Sequence, residues 1–103
     1  MSILIQQTFT PVDGTLYLER ELASEKLIDH TLNRAISAQK DWRRVSASER
    51  AAICKRMMEW LVENAGEIGR ELTWQIGRPI AYSPFEISRG FQERGNYMAS
   101  IAA

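Results

Sequence analysis

The sequence predicts a mainly α-helical chain opened by a short β-hairpin, in the order β-β-α-α-α-α. Three observations carry this reading. Pro11-Val12-Asp13-Gly14 sits between two short runs of strand-forming residues and combines a proline with an Asp-Gly pair, a strong turn signal. From Leu27 onward, apolar residues recur at steps of three and four, the spacing of one helix face. Helix punctuation at Ser24, Ser46, Asn64, Gly77-Arg78-Pro79 and Ser83-Pro84 then cuts that pattern into four segments.

The hairpin is expected within residues 3–20. Ile3-Leu4-Ile5 is a short apolar run, Thr8 to Thr10 read as one strand and Thr15 to Glu19 as its partner. Two strands alone are marginal in water, so this pair needs a surface to lie on. The first helix is expected over about 24–42, with Ser24 as N-cap, Glu25 in the first turn, and Ile28, Leu32, Ala35, Ile36 and Trp42 as its stripe. The second is expected over about 47–64. Ser46 and Glu49 have the spacing of a capping box, and Ile53, Met57, Trp60 and Leu61 form the main stripe. Ala51, Cys54, Met58 and Val62 widen that stripe past half the circumference, which predicts burial on two sides.

Asn64 closes the second helix or opens a third over about 66–76, which carries Ile68, Leu72 and Ile76 and stops at Gly77-Arg78-Pro79. Glycine accepts the left-handed conformation that ends a helix, and Pro79 cannot continue one. Ser83-Pro84-Phe85-Glu86 then predicts a single long helix over about 84–102, with Ser83 as its N-cap. That pattern reaches the last residue without a cap.

Bulk properties narrow the classes of function. The 103 residues suit one domain or part of one, and a composition of 45% hydrophobic and 25% charged residues is that of a globular chain. Thirteen basic and thirteen acidic residues give a net charge of zero, so there is no global electrostatic case for nucleic acid or acidic membranes. The single cysteine, Cys54, excludes an intramolecular disulfide, and no Cys/His cluster suggests a metal site. The first residues lack the basic flank and apolar run of a secretory leader, and no run approaches a membrane span. The expected location is therefore cytoplasmic.

The chemistry-bearing side chains favour structural readings. Cys54 lies among helix-stripe residues and reads as a small buried apolar residue rather than a nucleophile. His30 has no partner at ligand or triad spacing and reads as an exposed helix residue. Glu67 and Glu71 stand at i and i+4 and read as an exposed acidic face rather than a catalytic pair. Arg78 reads as helix-terminus electrostatics or a contact within the fold, and Trp42, Trp60 and Trp74 as core or interface packing. Free N–H groups at Ser83-Pro84 suit an anion, but Glu86 competes for them, and no glycine-rich nucleotide motif occurs. Catalytic, cofactor-binding and metal-binding residues are therefore assigned to no position.

In order, these pieces resemble the N-terminal segment of the NAD(P)-dependent aldehyde dehydrogenase superfamily. Thr10-Pro11-Val12-Asp13-Gly14-Thr15 is similar to the family's Asn-Pro-x-Thr-Gly-Glu turn, keeping Pro and Gly and changing the rest. Ala23-Ser24-Glu25-Lys26-Leu27-Ile28-Asp29 resembles its Ala-Ser-x-x-x-(Ile/Val)-Asp helix start, and Asp41-Trp42 its x-Trp helix end. Ser46-Ala47-Ser48-Glu49-Arg50-Ala51-Ala52-Ile53 resembles Ser/Ala-x-x-Glu-Arg-Ala-x-Ile. Trp74-Gln75-Ile76-Gly77-Arg78-Pro79 resembles the family's Glu-x-Gly-(Lys/Arg)-Pro break.

The resemblance implies a partial segment of a larger α/β fold whose members oxidise aldehydes to carboxylic acids with NAD or NADP. It places the family's nucleophilic Cys, general-base Glu, oxyanion-hole Asn and cofactor segments beyond residue 103, so the chain alone is expected to be inactive. It also implies that the helix after Gly77-Arg78-Pro79 helps wall the substrate entrance, with Gly90, Phe91 and Arg94 facing it. The expected partner is the remainder of the aldehyde dehydrogenase fold or, for the chain alone, another copy met through exposed apolar helix faces. A standalone helical interaction or scaffold module derived from the family is the alternative. The uncapped last helix and the two-sided second helix favour the supporting segment.

Overall fold

A computed structural model describes residues 3–103; Met1 and Ser2, which open the stretch that lacks the features of a secretory leader, lie outside the described residues. β1 (Ile5–Phe9) and β2 (Leu16–Glu21) form an antiparallel hairpin. Its turn is held by local chemistry: Gly14 takes a φ of 77°, and the Asp13 carboxylate accepts from both the backbone N–H (3.0 Å) and the hydroxyl (2.7 Å) of Thr15. These two bonds, the hydroxyl first, hold the Asp13 carboxyl below its ordinary pKa. Pairing runs from Ile5↔Glu21 to Thr8↔Leu18 and then steps to Phe9↔Leu16, which leaves Tyr17 as an extra residue on β2. Such a bulge re-aims a side chain, and Tyr17 uses it to reach the helices.

α1 (Glu25–Trp42) starts where Ser24 accepts from the Leu27 N–H at 3.2 Å. It buries none of its residues, and Ile28, Leu32 and Ile36 stand in the open. α2 (Ala47–Glu63) opens with the full capping box between Ser46 and Glu49. Asn64 closes it by donating its side-chain amide to the Trp60 carbonyl at 2.7 Å, and α3 (Ala65–Ile76) follows directly. Gly77 ends α3 in the left-handed conformation at φ 76°.

The last segment departs from the single helix predicted over 84–102. It comprises α4 (Ser83–Phe85), a π-helical turn (Glu86–Phe91) and α5 (Gln92–Ala102). In the π turn the Gln92 N–H bonds to the carbonyl of Ile87, five residues back. Ser83 also differs from its predicted role. Its buried hydroxyl caps nothing and turns back to lie 2.7 Å from Thr73 Oγ1 and 3.2 Å from the Pro79 carbonyl oxygen, which pins the tight connection to α3.

The buried apolar residues are Ala51 and Met58 on α2 and Ala99 on α5. This corrects the two-sided burial expected of α2. Of the residues drawn as its margin Ala51 and Met58 are buried, while Ile53, Met57 and Trp60 of the main stripe remain exposed and Leu61 is half-buried. Cys54, expected to be buried, is exposed. The cause is common to both: among the described residues no other element covers those side chains. The chain is accordingly flat, 47 × 43 × 16 Å, with a radius of gyration of 17.9 Å. A compact domain of this length would have about 13 Å.

Candidate functional site

The site is built where α3 hands over to the last segment. Gly77 turns the chain, and a β-carbon there would stand 3.0 Å from Pro11, so the hairpin turn and the helix break pack on one another. Tyr17 completes this join: its ring stacks on Trp74 at 6.0 Å and 9°, and its hydroxyl donates to Glu71. The Glu71 carboxylate, then the loss of water, raise the Tyr17 pKa. Glu71, expected only as part of an acidic face, is thus the acceptor that docks the hairpin. Nothing in its spacing signals this, because the donor is 54 residues away in sequence.

Beyond the break, Arg78 forms an ion pair with Glu86 at 2.6 Å, tying the turn to the first residue of the π helix. Ser88 donates to the Pro84 carbonyl at 3.4 Å, and the Arg89 guanidinium lies 4.4 Å above the Phe85 ring. The π turn inserts one residue into the helical register. A groove of about 330 Å³ lies along this turn and the start of α5. Gly90, Phe91 and Arg94, named from the family resemblance, line this groove together, with Ile87 and Met98 as further apolar wall. Gly90 forms an open stretch of that wall: a β-carbon there would meet only the Glu86 carboxylate, 3.9 Å away at Oε1.

A second, larger groove of about 540 Å³ runs between α2 and α5 and shares Gly95 and Met98 with the first. Cys54 and Trp42 belong to this second groove. Trp60 is 58% exposed and lies in neither. His30 is exposed on α1.

The chemistry available is that of shape and charge. No cysteine, serine, threonine or histidine lines the smaller groove, and its carboxylate, Glu86, is engaged by Arg78. Among the described residues no group of three His, Cys, Asp or Glu side chains is placed to hold a metal, and no helix is long and apolar enough to cross a membrane. The residues do not fit a dinucleotide either. A phosphate cradle needs glycines opened toward the ligand at a strand-to-helix turn. Here Gly69, Gly77 and Gly95 are closed against Pro84, Pro11 and Met58, while the open Gly14 and Gly66 stand in a strand-to-strand turn and at a helix-to-helix junction, not at a strand-to-helix turn.

The π turn is what the sequence did not foretell. The spacing of Ile87, Phe91 and Met98 suits an uninterrupted helix as well as one with a single inserted residue. The two differ only in backbone hydrogen-bond register.

Comparison with known proteins agrees with this architecture. The model of the aldehyde dehydrogenase family matches residues 5–102, and the chain belongs to that family. It is 28% identical over 101 residues to the 3,6-anhydro-alpha-L-galactose dehydrogenase of Streptomyces coelicolor, an overlap of 87% of this chain and 20% of that protein. It is 25% identical to malonate-semialdehyde dehydrogenase 2 of Oceanobacillus iheyensis, covering 94% of this chain and 22% of the relative. With aldehyde dehydrogenase B of Escherichia coli the identity is 31% over 74 residues, 72% of this chain and 14% of the other. The chain spans about a fifth of the length of the curated relatives it matches.

Proposed function

We propose that these residues are the N-terminal supporting segment of an aldehyde dehydrogenase, an incomplete domain of an enzyme that oxidises an aldehyde to a carboxylic acid with NAD or NADP. The observation that carries the proposal is the family match over residues 5–102 in a chain about a fifth as long as its relatives. The exposed stripes of α1 and α2 support it, because apolar faces of this extent are stable only when covered. In the complete enzyme the remainder of the fold covers them. The groove of Gly90, Phe91 and Arg94 then forms part of the wall at the substrate entrance. The expected setting is cytoplasmic, in an oligomeric enzyme.

On this reading the chain by itself turns over no aldehyde. Attack on an aldehyde needs a low-pKa thiolate, donors for the oxyanion and a base for water. Cys54, the single thiol, lies in a groove with Trp42 and Met58 and has no adjacent imidazole. The test incubates the purified chain with short aldehydes and NAD+ or NADP+ and follows nicotinamide reduction. No reduction is expected. Turnover that Cys54→Ser abolishes overturns the inactive reading, whereas turnover that survives the change comes from a contaminant. The intact mass of the native product in its source cells checks the rest: a product several times heavier than 11.8 kDa is expected, and one near that mass overturns the segment reading.

A further inference from the structure

Glu86 lines the smaller groove, yet its charge is already answered from outside the lining. Its Oε2 accepts from Arg78 at 2.6 Å, while its Oε1 lies 3.9 Å from where a β-carbon on Gly90 would stand. One carboxylate oxygen is thus held by the arginine, and the other borders the open stretch of wall at Gly90. Arg78 reaches it from the Gly77-Arg78-Pro79 turn and does not itself line the groove. The Arg78 Nε is shut off from water, so this guanidinium is less screened than one standing free in solvent.

The charged residues of the lining are Glu86 and Arg94, set against Ile87, Phe91 and Met98. Arg94 is engaged by no carboxylate among the described residues. Arg89 lies over the Phe85 ring and is not part of the lining. With Glu86 masked, the groove therefore carries one net positive charge. With Glu86 unmasked it would be neutral overall and present a carboxylate beside Gly90.

We infer that the Arg78–Glu86 pair is a charge filter at the substrate entrance, and that the substrate it suits is an aldehyde ending in an anionic group such as a carboxylate. The filter rests on the supporting-segment reading, in which this groove walls the entrance. Arg78 acts through Glu86 and is a positioning residue: it holds the carboxylate and cancels its charge. Arg94 is then left to attract an anionic end, and the apolar wall receives the aliphatic chain. Both members of the pair lie within this chain, so the masking needs nothing from the remainder of the fold.

The test uses the complete enzyme with three unbranched aldehydes of equal length, ended by a carboxylate, a methyl group and a trimethylammonium group. The parent enzyme is expected to favour the carboxylate over the trimethylammonium end by about tenfold or more in kcat/KM. Arg78→Gln is expected to raise KM for the carboxylate-ended aldehyde about tenfold without lowering kcat, because it unmasks Glu86. Adding Glu86→Gln is expected to bring that KM back, since no carboxylate remains to be masked. A merely structural role for the pair predicts the opposite pattern: the loss falls equally on all three aldehydes, and the double variant is no better than the single. Either of those results, or a parent enzyme indifferent to the charged end, overturns the filter while leaving the segment reading in place. An enzyme that oxidises none of the three overturns the segment reading, and the filter with it.

Discussion

A β-carbon at Gly95 would stand 2.5 Å from the Met58 sulfur, so α2 and α5 cross as closely as they do because Gly95 has no side chain. Gly69 has the same relation to Pro84, with a β-carbon 2.8 Å from the proline nitrogen. The obstacles differ: one is a flexible side chain, the other backbone and ring. Gly95→Ala lets Met58 swing aside, and better helix propensity returns about 1 kcal/mol, so the net loss should stay within about 2 kcal/mol. Gly69→Ala forces α3 and α4 apart and should cost more, about 2 kcal/mol or above. Denaturant unfolding of both variants gives the order. A double-mutant cycle with Met58→Ala should show coupling to Gly95→Ala and none to Gly69→Ala.

The hairpin should come loose in alkali. Hydrogen bonding to Glu71 raises the Tyr17 pKa above its ordinary value of 10.0, so folding favours the neutral phenol. Docking is then at full strength below about pH 10 and fades as pH rises through the raised value. Trp74 fluorescence reports it, because the stacked Tyr17 ring leaves when the hairpin does. Tyr17→Phe keeps the stack and should remove the alkaline transition. A transition that persists in that variant places the titrating group elsewhere.

Acid acts at the N-terminal end of α2. The Ser46 hydroxyl, then the Ser46 backbone N–H, hold the Glu49 carboxyl below its ordinary 4.5. The ionised form is the one the fold favours, so this stabilisation is complete above about pH 4.5 and is lost as pH falls through the lowered value. Glu49→Gln should flatten that part of the acid profile of helix content. Ser46→Ala removes the cap itself and should cost about 1 kcal/mol at neutral pH.

The Arg78–Glu86 pair should matter little to stability and more to shape. Its side chains are 37% and 53% exposed, and ion pairs of that exposure contribute up to about 1 kcal/mol, less in salt. Glu86→Gln is therefore expected to lower the unfolding midpoint slightly at low ionic strength and not at all in high salt. Hydrogen exchange at Ile87 to Gln92 should quicken in the same variant, because the pair ties the Gly77-Arg78-Pro79 turn to the π helix. Unchanged exchange there would show that the π turn holds without the pair.

Local chemistry accounts for what the chain disclosed in advance. Ser24, Ser46 with Glu49, and Gly77 mark helix ends because a cap or a left-handed residue satisfies backbone groups within a few positions. Asp13-Gly14-Thr15 fixes the turn by the same short-range logic. The family blocks at residues 46–53 and 75–79 are legible for a related reason, since they coincide with this punctuation.

The apolar pattern of α1 and α2 also determined which residues seek cover. It could not say whether the chain supplies it. Ile28, Leu32, Ile53 and Trp60 are exposed, and Ala51 and Met58 buried, because burial depends on what packs alongside, and periodicity describes one helix at a time. Tertiary structure alone decided the rest: the bulge that sends Tyr17 to Glu71, the π turn that interrupts the last helix, and the glycine that sets α5 against Met58. Each depends on groups far apart in sequence or on a single backbone bond changing partner. Residue types and their spacing carry neither.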